Sequence, residues 1–216
     1  MSDVFNSFLL VYAGLFPILN PIGGAPIFLA LAGPARPDAR HALALRVAVN
    51  SFFMLLGALF VGSHVLEFFG ITLPIVRIAG GLVVTAFAWK LLSEDDSVAE
   101  KDGANRGDEA RAPVDAFYPL TMPLTVGPGS ISVAITLGSE RPKAGNIEHL
   151  ALLGGGAVVG LLALAATIYV CYRFAERITG ALGAGGTNVL TRLSAFILLC
   201  IGIQIIWNGY IALGSP

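Results

Sequence analysis

Six stretches of this chain are long and apolar enough to cross a bilayer, and no other feature narrows its fold as far. They run approximately over 4–32, 43–64, 71–92, 115–139, 150–172 and 192–213. A helix needs about 20 apolar residues to cross roughly 30 Å of hydrocarbon. Continuous runs exclude a transmembrane barrel, whose strands alternate apolar and polar residues. Composition agrees, with 56% of the 216 residues hydrophobic and 12% charged, where a soluble domain has about 25% charged. The chain reads as an all-α membrane protein of six transmembrane helices, with the lipid bilayer as its first partner.

The remaining bulk features exclude more than they specify. A net charge of −1 leaves no electrostatic footprint for nucleic acid. Cys171 and Cys200 both lie in apolar runs, so they read as packing residues, with neither a disulfide framework nor metal-ligand spacing. No Lys or Arg precedes the apolar residues 4–19, Asp3 has the wrong sign for a leader, and no A-x-A site follows, so this stretch reads as the first span. The segment from Ser93 to Pro113, "SEDDSVAEKDGANRGDEARAP", has too little apolar area to fold alone. It marks a cytoplasmic hydrophilic loop, 93–114, between a first unit, 1–92, and a second, 115–216.

Orientation follows from the basic residues, which accumulate on the cytoplasmic side. Ten of the thirteen Lys and Arg fall in or beside the loops after spans one, three and five, and only Arg77, Arg141 and Lys143 fall on the other side. Both termini are therefore expected outside, in a bacterial inner membrane.

Two proline clusters interrupt the apolar runs. "FPILNPIGGAP", Phe16 to Pro26, and "YPLTMPLTVGPGS", Tyr118 to Ser130, coincide when shifted by 102 residues, which superposes Pro17 on Pro119, Pro21 on Pro123 and Pro26 on Pro128. A fainter echo, "RIAGGLVV" from Arg77 and "RLSAFILL" from Arg192, opens the third span of each half. Three spans per copy is an odd number, so the second copy enters the membrane from the opposite face. The expected architecture is two inverted three-helix repeats, a plan common in secondary transporters.

Proline removes a backbone donor and pushes its predecessor out of helical geometry, so Pro21 and Pro123 are expected to end the first half of spans one and four. Each second half is then expected to open at Pro26 and at Pro128, since proline suits the first helical position. The N–H groups at Ile27 to Leu29 and at Gly129 to Ile131 would face the break as weakly positive ends. The carbonyls near Ile18 to Asn20 and Leu120 to Met122 would be their negative counterparts. Irregular backbone survives at membrane depth only where protein buries it or it lines a wet cavity. Two such breaks meeting near the centre describe a dipolar pocket for a small zwitterion such as an amino acid. The substrate-binding residues expected on this reasoning are Asn20, Pro21, Gly23, Gly24, Pro26, Thr121, Thr125, Gly127, Gly129 and Ser130. The glycines allow close approach to the backbone, and the small uncharged lining favours small neutral side chains. A simple kink at each cluster is the alternative.

"LFPILNPIGGAPIF", "RIAGG" and "AFYPLTMPLTVGPGSI" resemble the MarC family of integral membrane proteins over essentially the whole chain. The resemblance implies transport of small neutral amino acids such as glycine and alanine, in a fold related to the lysine-exporter superfamily. It also implies a substrate site around Asn20 to Pro26 and Thr121 to Ser130, between two discontinuous helices.

The other polar residues are weaker candidates. Arg77 and Arg192 sit near span starts and His64, Glu67 and Glu176 near span ends, which suits snorkelling or surface placement. Asn50, Thr85, Thr167 and Gln204 read as interhelical hydrogen-bond partners, and "GAVVG", Gly156 to Gly160, as close helix packing. No carboxylate holds a clear mid-span position for a proton relay, which slightly favours Na+ over H+ as a coupling ion. No cofactor is indicated. A hydrolase built on Ser130 lacks a base, because His41, His64 and His149 fall at span ends or loops, so no enzymatic activity is expected. An exporter of other small metabolites and a structural or regulatory membrane protein without substrate remain as alternatives.

Overall fold

The computed structural model describes residues 2–33, 36–93, 115–139 and 147–214, and every regular element among them is helical. In chain order these are α1 (Ser2–Leu19), α2 (Pro21–Ala32), α3 (Pro37–Phe68), α4 (Leu73–Ser93), α5 (Ala116–Thr125), α6 (Pro128–Ser139), α7 (Ile147–Arg173) and α8 (Ala175–Gly214). Helices α3, α4, α7 and α8 each contain a segment able to cross a membrane alone. The pairs α1–α2 and α5–α6 qualify together, bent by 44° and 69° at their junctions. Counting each bent pair as one span gives the six expected from the sequence, with the first and fourth discontinuous. Residues 94–114 of the expected hydrophilic loop lie outside the described residues, as do Arg141 and Lys143.

The final span begins earlier than its hydropathy suggested. Gly183 adopts a left-handed φ of 65° and bends α8 there, and the stretch from Gly185 to Gly214 is the apolar span. Thr187 donates its hydroxyl to the Gly183 carbonyl at 2.8 Å, so a polar, glycine-rich entry is accommodated within the helix.

Helix association within lipid depends on close backbone approach and interhelical hydrogen bonds, because the lipid is as apolar as the helices. Small residues mark the principal interfaces. Between α4 and α8, the most extensive pair, a methyl on Gly81 would stand 2.8 Å from the Gly202 carbonyl oxygen, and one on Gly202 would stand 2.4 Å from Thr85 Oγ1. Gly156 and Gly160 of α7 press on the Val4 and Phe8 carbonyls of α1, the packing that "GAVVG" suggested. Around these contacts the fully buried side chains include Leu15, Phe28, Leu55, Leu59, Leu120, Leu161, Leu164 and Ile168. The outer faces carry exposed apolar residues such as Phe53, Trp89, Leu162 and Trp207, as a lipid-facing surface requires.

Two of the four mid-span polar residues bridge helices: Asn50 Nδ2 reaches Thr121 Oγ1 at 3.4 Å, and Thr167 Oγ1 lies 3.2 Å from the Tyr12 hydroxyl. The other two differ from that expectation. Thr85 donates to the Gly81 carbonyl and Gln204 to Asn208 Oδ1, both within their own helices. A hydroxyl one turn from a carbonyl, or an amide one turn from another, finds its partner locally at less entropic cost.

Backbone contact makes one glycine a sharp probe of this packing. A methyl on Gly138 of α6 would fall 1.8 Å from the Leu59 carbonyl oxygen of α3, whereas one on Gly57 meets nothing within 4 Å. Gly138→Ala is expected to destabilise the protein by about 1–3 kcal/mol through overpacking. Gly57→Ala should be neutral or stabilising by up to about 1 kcal/mol, the helix-propensity gain. Thermal unfolding in detergent, read for both variants, checks the contrast.

Candidate functional site: a cavity between two broken spans

The first break turns on one residue. Asn20 is the only non-glycine residue with positive φ among those described (φ 42°, ψ 57°). Asparagine tolerates this left-handed state better than other side chains, and here it also caps the next helix. Its Oδ1 accepts the Gly23 N–H at 3.2 Å, and its carbonyl accepts the Gly24 N–H at 2.8 Å. In a continuous helix the Gly23 N–H would have served Leu19, and position 21 would have served Pro17, but Pro21 has no N–H to give. The end of α1 therefore presents carbonyls near Ile18 and Leu19 to the break.

The sequence-based placement of the second half-helix is corrected here. Helix α2 opens at Pro21, five residues before Pro26, which lies inside it. Either proline could open a helix by the first-turn rule; the Asn20 cap selects the earlier one and leaves Pro26 in the helix interior. The N–H groups at Ile27 to Leu29 thus lie beyond the first turn, and those nearest the break belong to Ile22 and Gly23.

The second break is built differently. The residues preceding the two prolines of α5, Tyr118 and Met122, are extended (φ −121°, ψ 126° and φ −118°, ψ 123°), and both Tyr118–Pro119 and Met122–Pro123 are cis. Helix α5 winds in wide turns: Val126 N–H reaches back five residues to the Thr121 carbonyl at 2.8 Å. Two threonine hydroxyls fill the same five-residue spacing, Thr121 to the Ala116 carbonyl at 2.7 Å and Thr125 to the Leu120 carbonyl at 2.8 Å. Leu120 is therefore satisfied rather than facing the break, and the chain turns at Val126–Gly127, beyond Pro123. Helix α6 opens at Pro128 as expected, its first intrahelical bond running from Ile131 N–H to the Gly127 carbonyl at 3.1 Å. The Gly129 and Ser130 N–H groups precede that first bond, as helix-terminal donors do.

A cavity of about 100 Å³ occupies the space where the breaks meet. Seven of the ten expected site residues line it: Asn20, Gly23, Gly24, Thr125, Gly127, Gly129 and Ser130. The other three do not. Pro21 is buried at the start of α2, Pro26 lies within that helix, and Thr121 is wholly buried between Asn50 and the Ala116 carbonyl. Among the described residues the lining includes no Asp, Glu, Lys, Arg or His, so the polarity of this wall comes from peptide groups, Asn20 and hydroxyls.

Sequence reasoning missed the rest of the wall. Val83, Val84, Phe87 and Leu91 of α4 and Ser194, Ala195 and Leu198 of α8 close the cavity. Val84 and Ser194 stand against the breaks themselves. A methyl on Gly129 would fall 1.9 Å from Val84 Cγ2, and one on Gly23 would fall 2.8 Å from Ser194 Oγ. A signal for these residues existed in the "RIAGGLVV" and "RLSAFILL" echo, which covers Val84 and Ser194. Behind the wall, the buried Tyr172 of α7 places its hydroxyl 2.9 Å from Thr125 Oγ1.

The fold and cavity define a polytopic α-helical membrane protein with a small uncharged chamber between two interrupted spans. The model for "MarC family integral membrane protein" matches residues 5–213, and the chain belongs to the MarC family. It is 32% identical over 214 residues to the protein named "UPF0056 inner membrane protein MarC" from Salmonella typhimurium, covering 97% of this chain and 96% of that one. It shows the same identity and coverage with its namesake from Escherichia coli O139:H28, and 31% identity with that of Salmonella paratyphi A. No solved structure matches the chain.

Asn20 supplies the direct test of how the first break is held. Asn20→Gly keeps access to the left-handed backbone and is expected to cost a few tenths of a kcal/mol. Asn20→Ala loses the cap and strains the backbone, for about 1–3 kcal/mol in total. Thermal midpoints of the two variants in detergent should separate accordingly.

Proposed function

We propose that this chain is a secondary transporter of small neutral amino acids in the bacterial inner membrane, binding glycine- or alanine-like substrates between the two breaks and working by alternating access. The observation that carries the proposal is the cavity shared by the two interrupted spans, lined by the last residues of α1 on one side and the first residues of α6 on another. A carboxylate is favoured at a helix N-terminus and a cation at a C-terminus. An amino acid carries both charges on adjacent carbons, so it satisfies both ends without a net charge entering the membrane. The absence of an ionisable group from the lining disfavours bulky cationic drugs as cargo.

Two further observations support this reading. Helix contacts are matched when the halves are exchanged: α2 packs on α8 as α6 packs on α4, and α2 packs on α7 as α6 packs on α3, while α3–α7 and α4–α8 pair across the halves. That is the pattern expected of two inverted three-helix repeats, in which one half rocks against the other around a fixed site. The bias of basic residues, and the relatives' names as inner membrane proteins, fit an inner-membrane protein with both termini outside. Na+ or H+ is the proposed coupling ion, with Na+ favoured slightly by the lack of a carboxylate in the cavity.

Gly127 provides the cleanest variant. A methyl there meets only the Pro123 carbonyl oxygen, at 3.4 Å, so larger side chains enter the cavity rather than the packing. Gly24 is less suitable, because a methyl on it would stand 2.8 Å from the Tyr172 hydroxyl. The purified protein is expected to be stabilised by glycine or alanine, by about 2.7 kcal/mol at a hundred times Kd. Gly127→Val should abolish that stabilisation, and saturable uptake into proteoliposomes, while keeping its own unfolding midpoint close to wild type. A screen of the twenty amino acids in sodium and in potassium, followed by flux, tests this. Folded protein with no stabilisation and no saturable flux supports a structural role instead.

A further inference from the structure

Tyr172 is 2% exposed and touches both broken spans. Its ring lies on Phe28 of α2, centroids 4.5 Å apart and planes inclined by 14°. Its hydroxyl is 2.9 Å from Thr125 Oγ1 of α5, and would be 2.8 Å from a methyl on Gly24. Thr125 has one hydroxyl proton and gives it to the Leu120 carbonyl, so Tyr172 is the donor in its bond to Thr125. Since Gly24 and Thr125 both face the central cavity, one phenol stands directly behind two lining residues.

The same side chain has a second face. Tyr172 also lines a smaller pocket of about 20 Å³ together with Leu29, Arg40 and Glu176. Arg40 of α3 and Glu176 at the start of α8 form an ion pair there, with the arginine 15% exposed and the glutamate 60%. This pocket lies where α3 begins and α7 ends, the end of the bundle that also carries Arg173 and Arg177.

We propose that Tyr172 is the partition between the central cavity and this second pocket. The two pockets form one passage, opened when the phenol leaves Thr125 and Phe28, with the Arg40–Glu176 pair as its outer latch. The inference extends the transport reading by naming one route out of the cavity. The choice of tyrosine has a chemical logic: a phenylalanine plug would leave the Thr125 oxygen without a donor in the closed state. A phenol exchanges its bond to Thr125 for one to water or a passing polar group, so the closed and open states are both satisfied.

A thiol placed in the wall of the central cavity reports on the partition without reference to any substrate. Ser194, which lines the central cavity, becomes the one thiol in a Ser194→Cys protein whose Cys171 and Cys200 are both replaced by serine. In liposomes, its labelling by a membrane-impermeant methanethiosulfonate is expected to be slow. Tyr172→Phe, which keeps the ring and loses only the hydroxyl, should raise the rate about tenfold, the factor corresponding to one lost neutral hydrogen bond. Glu176→Gln should raise it further in combination, and the exchanged pair Arg40→Glu with Glu176→Arg should return it toward the starting rate. Fast labelling of the starting protein, or equal rates across the series, overturns the partition. Stabilisation by glycine or alanine, measured on the same samples, is decided separately. Its absence defeats the transport reading while the labelling result still stands or falls by itself.

Discussion

Everything in this fold answers to the requirement that a peptide group at membrane depth must have a partner. An unpaired N–H or C=O in hydrocarbon costs several kcal/mol, so an interruption in a span survives only if the protein buries it or gives it water or a ligand. The chain interrupts two spans and meets the cost in two different ways. At the first, one asparagine adopts a left-handed conformation and caps the helix that follows. At the second, threonine hydroxyls and a five-residue backbone bond stand in where Pro119 and Pro123 interrupt α5. The residues at both breaks converge on one small cavity.

The surrounding helices serve that convergence. Glycine contacts draw α4 against α8 and α7 against α1, close enough for backbones to touch, and so bring α4 and α8 up to the breaks as the remaining wall. Tyr172 then links the broken spans from behind, through a hydrogen bond to one and a ring stack on the other. A displacement of either broken span is therefore felt by the other through one side chain. This is the kind of discrete, packed contact through which coupling in a helical bundle is transmitted.

How much of this was legible beforehand can be judged residue by residue. The spans followed from apolar run length, and both interruptions from proline spacing, because these depend on local chemistry alone. The start of α2 lies at Pro21 rather than at the expected Pro26, since either of two prolines five residues apart could open a helix and only the Asn20 backbone decides between them. Thr121 is a polar residue of the break, as expected, but it does not line the cavity, because its hydroxyl is consumed by Ala116 and Asn50. Val84, Ser194 and Tyr172 were absent from the expected site because their role comes from tertiary placement. An apolar residue, a serine and a tyrosine in membrane helices carry no signature of what they will face. The faint echo covering Val84 and Ser194 was present, but nothing in sequence says that the third span of each half packs on a break.

The central claim is that the freed peptide groups at the breaks hold a small zwitterion. Solid-state NMR on protein labelled with 15N-serine in lipid, bound to glycine enriched in 13C at its carboxyl carbon, measures this contact directly. The expected result is a dipolar coupling between the ligand carboxyl carbon and a serine amide nitrogen that disappears in Ser130→Ala. Bound glycine with no coupling to that amide would contradict the account.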